Sequence, residues 1–385
     1  MLKLKGPDQV KFQGMIAAWP KIVVIGAGIV GASIAYHLAR RGARVTLVDK
    51  GHPAVEVTGK AFAWINVSHG IPEPYSQLRH LAIQEYRRIE QELGPALRVD
   101  WCGALTWTAD LAETERFARE HAAWGYDVRL VGRDEIAALE PNLIEPPDYA
   151  AFAASEGAVE PTAATQALVE GARLAGAEIR LATEVAAITA HDRRITGIRT
   201  AEGAIAADLV IVAAGTGAGA LCGPLGVVLP VEASPAILLR FRTTGRLVNR
   251  VISSPDMEVR QTSDCRLLAA EDYIDRSPDN GPDAIAERAL AAIRQSVRNG
   301  DGVALEDVRT GLRPIPTDDL PIVGFVSKVD GLYAAVMHAG VTMAPIIGRL
   351  VTAEILDGAE VKALRPCRLE RFAAGSPAIE SYPGA

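Results

Sequence analysis

Glycines at three positions of one short segment are spaced to hold a phosphate group. Gly26, Gly28 and Gly31 follow the apolar run 22–25 and precede a segment of helical periodicity that ends near Arg41. In this spacing the first glycine permits a tight turn, the second lets the backbone approach a pyrophosphate, and the third lets helix and strand pack closely. The N–H groups and the dipole of a helix start favour an anion. We therefore predict a phosphate-binding turn between a strand and a helix.

An acidic residue extends this site. A second apolar run, 44–48, ends at Asp49, which stands 18 residues beyond Gly31. A carboxylate at this spacing accepts hydrogen bonds from a ribose diol. The pattern predicts a dinucleotide site; NAD and FAD share it, and a glycine turn without a ligand is the alternative. The residues of the predicted site are Gly26, Gly28, Ile29, Val30, Gly31, Asp49 and Lys50.

Hydrophobic periodicity predicts the elements that must position these residues. Residues 22–48 form a strand–helix–strand unit, and the chain reads strand, turn and helix again from Gly331. Further helices are predicted at 74–93, 112–125, 162–175 and 285–297. Further strands are predicted at 99–108, 179–181, 185–189 and 209–213.

Composition narrows the class of protein. A chain of 385 residues predicts two interleaved domains or one large α/β domain with an insertion. The net charge of −7 opposes a nucleic-acid or anionic-membrane partner, because both favour a basic face. The four cysteines are scattered without a CxxC pattern, so neither disulfides nor a metal site is expected. No apolar run is long enough for a spanning segment and the first twenty residues lack a signal-peptide pattern, so a cytoplasmic protein is expected.

Several segments, in their order along the chain, resemble the D-amino-acid-oxidase-like (DAO) family of FAD-dependent oxidoreductases. That family includes glycine and sarcosine oxidases, D-amino-acid dehydrogenases and the flavin subunits of opine- and proline-oxidising complexes. The likeness continues through the last helix and covers most of the chain. The matching segments are 21–50, 58–66, 157–161, 208–215 and 311–314.

The resemblance implies an α/β fold of two domains (α+β). A Rossmann-like FAD-binding domain is expected from residues 20–95, 150–230 and 306–385. A mostly antiparallel-sheet substrate domain is expected from residues 96–149 and 231–305. Residues 1–19 are expected to form a poorly structured N-terminal extension.

The resemblance also implies further contacts to FAD. Thr58, Lys60 and Ala61 would lie near the pyrophosphate and the flavin, and the backbone of Val185 would meet the adenine. Ala214 and Gly215 would pack against the dinucleotide, although a core strand that ends in a turn is the alternative. FAD is expected to be non-covalent, because sarcosine oxidase tethers it through a cysteine that the segment 308–313 lacks.

The late segment 332–345 predicts a second helix start beside the flavin. A buried strand breaks at 338–340 and a helix begins near Thr342, with Pro345 in its first turn. Family members point this helix start at the flavin pyrimidine edge, where negative charge appears on reduction. The residues implied are Gly340, Val341 and Thr342, with His338 beside the flavin. A structural histidine is the alternative for His338.

Arg313 is the residue that indicates a substrate. It stands between a glycine turn and a proline, beside apolar neighbours, and a guanidinium in such a setting pairs best with a planar carboxylate. Family members hold the substrate carboxylate with an arginine in a similar segment. The alternative is a structural salt bridge to Asp318 or Asp319. Tyr273 is a candidate for the other side of the pocket, with a buried aromatic residue as the alternative.

The implied activity is FAD-dependent oxidation of the C–N bond of an amino acid or N-substituted amino acid, such as a D-amino acid, glycine, sarcosine, a cyclic imino acid or an opine. Hydride transfer to flavin N5 would give an imine. Alternatives are a flavin subunit active only within a hetero-oligomer and an NAD-dependent dehydrogenase; a homo-oligomer or an electron-transfer partner stays open. Sarcosine oxidase carries a lysine above its flavin, whereas this sequence has none between Lys60 and Lys328, which favours a dehydrogenase slightly over an oxidase.

Overall fold

The computed structural model describes residues 20–67, 73–272, 277 and 280–373. The extension 1–19 and Tyr273 lie outside the described residues. The α-helices are α1 (Ile29–Arg40), α2 (Glu73–Leu93), α3 (Leu111–Ala123), α4 (Arg133–Leu139), α5 (Pro161–Leu174), α6 (Ala218–Cys222), α7 (Pro282–Ser296) and α8 (Gly340–Asp357). The strands are β1 (Lys21–Ile25), β2 (Arg44–Val48), β3 (Trp64–Ile65), β4 (Val99–Asp100), β5 (Ala104–Thr106), β6 (Val128–Gly132), β7 (Tyr149–Ala153), β8 (Gly157–Val159), β9 (Glu178–Arg180), β10 (Val185–His191), β11 (Arg194–Thr200), β12 (Gly203–Ala206), β13 (Leu209–Val212), β14 (Val231–Arg242), β15 (Val251–Ser253), β16 (Glu258–Gln261), β17 (Arg266–Asp272), β18 (Ala304–Pro316), β19 (Ile322–Phe325) and β20 (Leu332–Val336).

The first strand–helix–strand unit of the sequence is the centre of a six-stranded sheet. Its order is β19-β20-β13-β1-β2-β9, and every pair is parallel except β19 with β20. Helices α1, α5 and α8 pack together on one face. The antiparallel sheet β10-β11-β12 and α6 cover the other. Both faces are therefore buried, which explains why β13 is apolar at every position.

A second, eight-stranded sheet has the order β18-β14-β17-β16-β15-β5-β7-β6. All its pairs are antiparallel except β15 with β5. One face packs its apolar side chains against α4 and α7. The predicted combination of a parallel-sheet domain with a mostly antiparallel sheet is confirmed. Among the described residues, no helix is both long and apolar enough to cross a bilayer.

Two details differ from the sequence predictions. The predicted strand 99–108 is broken at Gly103, whose φ of +79° suits glycine, so that β4 and β5 pair into different sheets. The eight-stranded sheet also takes in β7 and β18, most of which fall in segments expected to belong to the FAD-binding domain. Periodicity along the chain locates a strand, whereas its sheet is decided by its pairing partner.

A buried arginine joins the eight-stranded sheet to the small sheet β3-β8-β4 and the loop before it. Arg260 on β16 is 3% exposed. Its Nε donates to the carbonyl of Phe62 at 2.5 Å, and its Nη2 donates to the carbonyl of Val159 at 3.2 Å. Its Nη1 lies 3.2 Å from Oε1 of Glu160. A buried charge is tolerated only when it is paired and hydrogen-bonded. These contacts therefore fix β16 to the chain at Phe62 and at Val159–Glu160.

The start of α8 depends on a tyrosine of α2. The helix begins at Gly340, two residues earlier than predicted, so Pro345 lies within the helix rather than in its first turn. Proline lacks the N–H that would bond the carbonyl four residues earlier. The Tyr86 hydroxyl donates to that carbonyl, of Val341, at 2.6 Å. Burial raises the pKa of Tyr86 well above its usual range, so the hydroxyl keeps its proton.

We therefore expect Tyr86→Phe to destabilise the protein by about 1–3 kcal/mol, because it leaves a partly buried carbonyl without its donor. The loss should be smaller in a Pro345→Ala background, where residue 345 regains an N–H for the same carbonyl. Urea denaturation of the two single variants and the double variant measures this coupling. Tyr149→Phe is the control, because Tyr149 is 47% exposed. Strict additivity of the two changes would contradict the assignment of the Tyr86 hydrogen bond.

Candidate active site

A cavity of about 1330 Å³ lies between the two large sheets. Its floor is the edge of the six-stranded sheet where β1, β2, β13 and β20 end, and its roof comes from β14, β16, β17 and β18. Pockets for ordinary small molecules measure about 300–1000 Å³, so this cavity accommodates a larger ligand or two adjacent ones. The predicted site residues that line it are Gly26, Gly28, Ile29, Val30, Asp49, Lys50, Thr58, Lys60, Ala61, Val185, Ala214, Gly215, Arg313, His338, Gly340, Val341 and Thr342.

The three glycines of the first turn meet three different constraints. Gly26 has a φ of +109°, and a Cβ there would lie 2.4 Å from the carbonyl oxygen of Ala213. A Cβ at Gly31 would lie 2.0 Å from the carbonyl oxygen of Gly26. Gly31 does not line the cavity but lets α1 pack against the turn. A Cβ at Gly28 would meet only Oγ1 of Thr58, at 3.3 Å, so this part of the backbone faces the cavity.

Asp49 fastens the glycine turn to the end of β2. Its Oδ2 accepts the N–H of Ala27 at 2.6 Å, and its Oδ1 accepts the N–H of Gly51 at 2.7 Å. Each carboxylate oxygen can accept a second hydrogen bond, so these contacts leave capacity for a diol. The neighbouring Lys50 pairs with Glu56 across 3.5 Å at the surface. Asp49 therefore has a positioning role in addition to any contact with a ligand.

The remaining predicted cofactor residues surround this turn. Oγ1 of Thr58 accepts the N–H of Ile29 at 3.3 Å, at the start of α1. Gly215 has a φ of +55° and turns the chain after β13. A Cβ at Gly311 of β18 would lie 3.3 Å from Cβ of Lys60, so the roof approaches the floor closely at this point.

The start of α8 forms the other end of the floor. The N-cap residues Gly28 and Ala339 make no side-chain cap, and neither α1 nor α8 has an acidic residue in its first turn, so no negative charge offsets the positive end of either helix dipole. Thr342 donates its hydroxyl proton to the carbonyl of Trp64 at 3.0 Å, which holds α8 to β3. A Cβ at Gly340 would lie 3.2 Å from Cγ2 of Val30, so the two helix starts are close neighbours.

His338 lies between β20 and α8 and opens into the cavity. Burial among the surrounding atoms lowers the pKa of His338 to about 4, and repulsion from Arg313 and Arg79 acts in the same direction. Asp272 opposes this shift without cancelling it. The imidazole is therefore neutral at neutral pH.

Arg313 lies in the cavity wall on β18, the edge strand of the roof. Its Nη2 donates to Oγ of Ser234 at 3.0 Å and lies 2.8 Å from Oδ1 of Asp272. Its Nε is buried and has no hydrogen-bond partner among the described residues. A buried donor without a partner is costly, and a ligand acceptor would remove that cost.

The structural salt bridge predicted as the alternative for Arg313 has a different partner from those expected. Asp318 pairs with Arg371, with 2.6 Å between Oδ2 and Nε. No ion pair joins Arg313 to Asp319 in the described part of the chain. Asp272 takes this place because β14 brings the ends of β17 and β18 together. Asp272 is paired with Ala236 of β14 and Arg313 with Ser234, two residues away on the same strand.

A second arginine in the cavity was not predicted. Arg79 of α2 is 6% exposed, its Nη1 donates to Oδ1 of Asn66, and its Cζ lies 4.9 Å from the ring centroid of Tyr75. Its Nε has no hydrogen-bond partner among the described residues. The sequence does contain a signal, because Arg79 interrupts the buried stripe of α2 between Tyr75 and Ala82.

Glu258 was also not predicted. It lies on β16 in the roof, and burial raises the pKa of its carboxyl to about 7. A carboxyl group that titrates near neutral pH in a cleft is a candidate for acid–base chemistry. The sequence offers little signal, because Glu258 and Arg260 alternate with Val259 like the solvent face of an ordinary strand.

These features together fit a dinucleotide, with room in the cavity beyond it. The glycine turn and the starts of two helices supply backbone N–H groups, Asp49 adds carboxylate acceptors at the end of β2, and the cavity continues to a wall with two arginines. Among the described residues there is no group of three histidine, cysteine or acidic side chains that would hold a metal ion.

Comparison with known proteins agrees with this geometry. Residues 21–354 match the family described as FAD dependent oxidoreductase (DAO). The chain belongs to this family. It is therefore an enzyme, an oxidoreductase that uses FAD, and the predicted resemblance is confirmed.

The sequence identity to individual relatives is low. The chain is 28% identical to the uncharacterized oxidoreductase YurR of Bacillus subtilis, over 85% of this chain and 92% of the other. It is 27% identical to the glycine oxidase of Pseudomonas aeruginosa, over 88% of this chain and 95% of the other. The fold is that of glycine oxidase from Geobacillus kaustophilus, with a TM-score of 0.82 at 22% identity, covering 93% of this chain and 100% of the other.

The close packing at Gly31 gives a direct test of the cofactor site. Gly31→Ala should lower the flavin content of the purified protein strongly, because the new methyl group would force α1 away from the turn at a cost of about 1–3 kcal/mol or more. Gly219→Ala is the matched control, since a Cβ at Gly219 would meet nothing within 4 Å. Flavin absorbance per chain and thermal melting measure both. A Gly31→Ala protein with full flavin content would contradict the proposed packing role.

Proposed function

We propose that this enzyme oxidises the C–N bond of an amino acid or N-substituted amino acid to an imine. Arg313 would hold the substrate carboxylate and thereby position the α-carbon for oxidation by the cofactor. When bound, FAD supplies a hydride acceptor at N5. The chain itself contributes position: it fixes the carboxylate, excludes water and presents the amine. The observation that carries the proposal is the buried, unpartnered Nε of Arg313 in the cavity wall.

The ion pair with Asp272 is compatible with this role. The Asp272 side chain is 68% exposed, whereas that of Arg313 is 24% exposed. Exposed ion pairs contribute about 0–1 kcal/mol, so a substrate carboxylate that also satisfies Nε displaces or shares this contact at little cost. Asp272 and Ser234 thus hold Arg313 in position through Nη2, and Nε is left to donate a hydrogen bond to a ligand.

The flavin end of the cavity is proposed to be the crevice between the two helix starts. The start of α1 would hold the pyrophosphate, Asp49 and Val185 would meet the adenosine half, and the start of α8 would face the pyrimidine ring. His338 is neutral at neutral pH, so it would lie beside the flavin without adding charge. FAD is proposed to be non-covalent, because residues 308–313 lack a cysteine. The division into an FAD-binding and a substrate domain is part of this proposal.

Substitution of Arg313 tests the substrate assignment. Arg313→Lys keeps the charge but loses the planar fork, and Arg313→Ala loses both. We expect both variants to keep FAD, with kcat/KM of the alanine variant lower than that of the lysine variant by at least about tenfold, or 1.4 kcal/mol. Steady-state kinetics with an artificial electron acceptor over a panel of D-amino acids, sarcosine, glycine, proline and opines measures this.

Arg309→Ala is the control for that experiment. Arg309 lies on the same strand, pairs with Asp307 and does not line the cavity. It should retain kcat/KM within about twofold, as surface substitutions usually do. An Arg313→Ala protein that binds substrate normally but sheds flavin or unfolds would show that the arginine is structural.

The electron acceptor is proposed to be an electron-transfer partner rather than oxygen. An artificial dye can take the place of that partner in an assay. No lysine occurs between Lys60 and Lys328, so β14–β17 place no ammonium group over the flavin. Reoxidation of the reduced enzyme by oxygen should therefore be slow in stopped-flow measurements, and an artificial acceptor should restore turnover. Fast reoxidation with stoichiometric peroxide would instead identify an oxidase. Absence of turnover by the isolated chain with every acceptor would favour a flavin subunit of a hetero-oligomer.

A further inference from the structure

Glu258 is a half-buried acidic group of the cavity that the proposed function leaves unused. Its neighbour Val259 pairs with Ile252 and Ala269, and these three side chains belong to the apolar face packed on α7. Because side chains alternate along a strand, Glu258 lies on the opposite face, towards the cavity. Arg313 lies on that same face of the sheet.

The charged groups around Glu258 come from the neighbouring strands. Asp272 and Glu271 of β17 raise the pKa of Glu258 in addition to the larger effect of burial. Arg313 of β18 and a hydrogen bond with Ser253 of β15 lower it. The net result, a pKa of about 7, means that this carboxyl can exchange a proton near neutral pH.

Two buried carboxylates of the protein have arginine partners. Glu85 pairs with Arg88 and Arg349, and Glu354 pairs with Arg368. No ion pair within 4.0 Å holds Glu258 among the described residues. A carboxylate in this position would be stabilised by a cation supplied from the cavity.

We propose that Glu258 receives the amino group of the substrate and takes a proton from its ammonium form. This inference rests on the proposed function. An α-amino acid carries its carboxylate and its amine on one carbon, so a carboxylate held by Arg313 brings the amine to a residue of the same face. One N–H bond breaks, one O–H bond forms on Glu258, and no electron moves in this step. The neutral amine keeps the lone pair that the C–N bond needs when the α-hydrogen leaves as a hydride.

The pH dependence of Glu258→Gln tests this role. In the wild-type holoenzyme kcat/KM should rise with pH up to the titration of Glu258 and then level off. The variant cannot accept the proton, so its kcat/KM should be lower by at least about tenfold at pH 7 and should approach the wild-type value near pH 10, where the amine itself is neutral. Glu258→Asp should keep the wild-type profile shape. Glu232→Gln, an exposed carboxylate on β14, should leave the profile unchanged.

A binding measurement keeps the test independent of turnover. 2-Methylalanine has no α-hydrogen and cannot be oxidised, and 2-methylpropanoate is its amine-free counterpart. At pH 8, calorimetry in buffers of different ionisation enthalpy should show that 2-methylpropanoate draws up to about one proton onto the wild-type enzyme, because its anion raises the pKa of Glu258. 2-Methylalanine should draw none, and Glu258→Gln should draw none with either ligand.

The outcomes separate this inference from the proposed function. A wild-type enzyme that oxidises no member of the amine panel would count against the proposed function itself. Wild-type turnover combined with a Glu258→Gln profile that is lowered equally at every pH would show a structural role for Glu258. Equal proton uptake with the two ligands in the wild-type enzyme would likewise overturn the inference.

Discussion

The close approach of α1 to the turn before it is the constraint on which the site depends. Gly31 and Gly26 are in backbone contact, and Gly26 in turn lies against the end of β13 at Ala213. Any side chain at these two positions would separate the helix from the sheet. The contact directs the start of α1 towards the carboxyl edge of the parallel sheet. It thereby sets the distance between the start of α1 and the start of α8, where Gly340 packs against Val30.

The second sheet covers this edge and forms the cavity with it. Arg260 fixes the sheet against Phe62 and Val159, so the polar face of β16 lies over the cavity instead of in solvent. Exclusion of water then shifts the pKa values of His338 and Glu258, two groups near Arg313, in opposite directions. The pKa of His338 falls to about 4 and that of Glu258 rises to about 7, because burial disfavours the charged form of each. One group is therefore neutral, and the other is ready to exchange a proton.

Local signals explain which parts of the site were predictable. The glycine turn and Asp49 follow from spacing alone, since the tight turn, the close helix contact and the strand end involve neighbours in the sequence. The roles of the Thr58 loop and the Ala214 turn came from family resemblance, whereas the start of α8 followed from the strand break at 338–340; all line the cavity. Arg79 could have been recognised from its place in the buried stripe of α2. Tyr273 lies outside the described residues and stays a prediction.

The sequence by itself determined the parallel-sheet unit, the glycine turn, the strand ends and the presence of an arginine in an apolar segment. Those properties depend on the local backbone and on side-chain periodicity. The tertiary structure alone decided that β7 and β18 join the eight-stranded sheet, that Arg313 meets Asp272 rather than Asp318, and that Glu258 faces the cavity. Strand alternation defines two faces but does not specify which one another domain will cover, and ion-pair partners are set by the register of strands far apart in the chain.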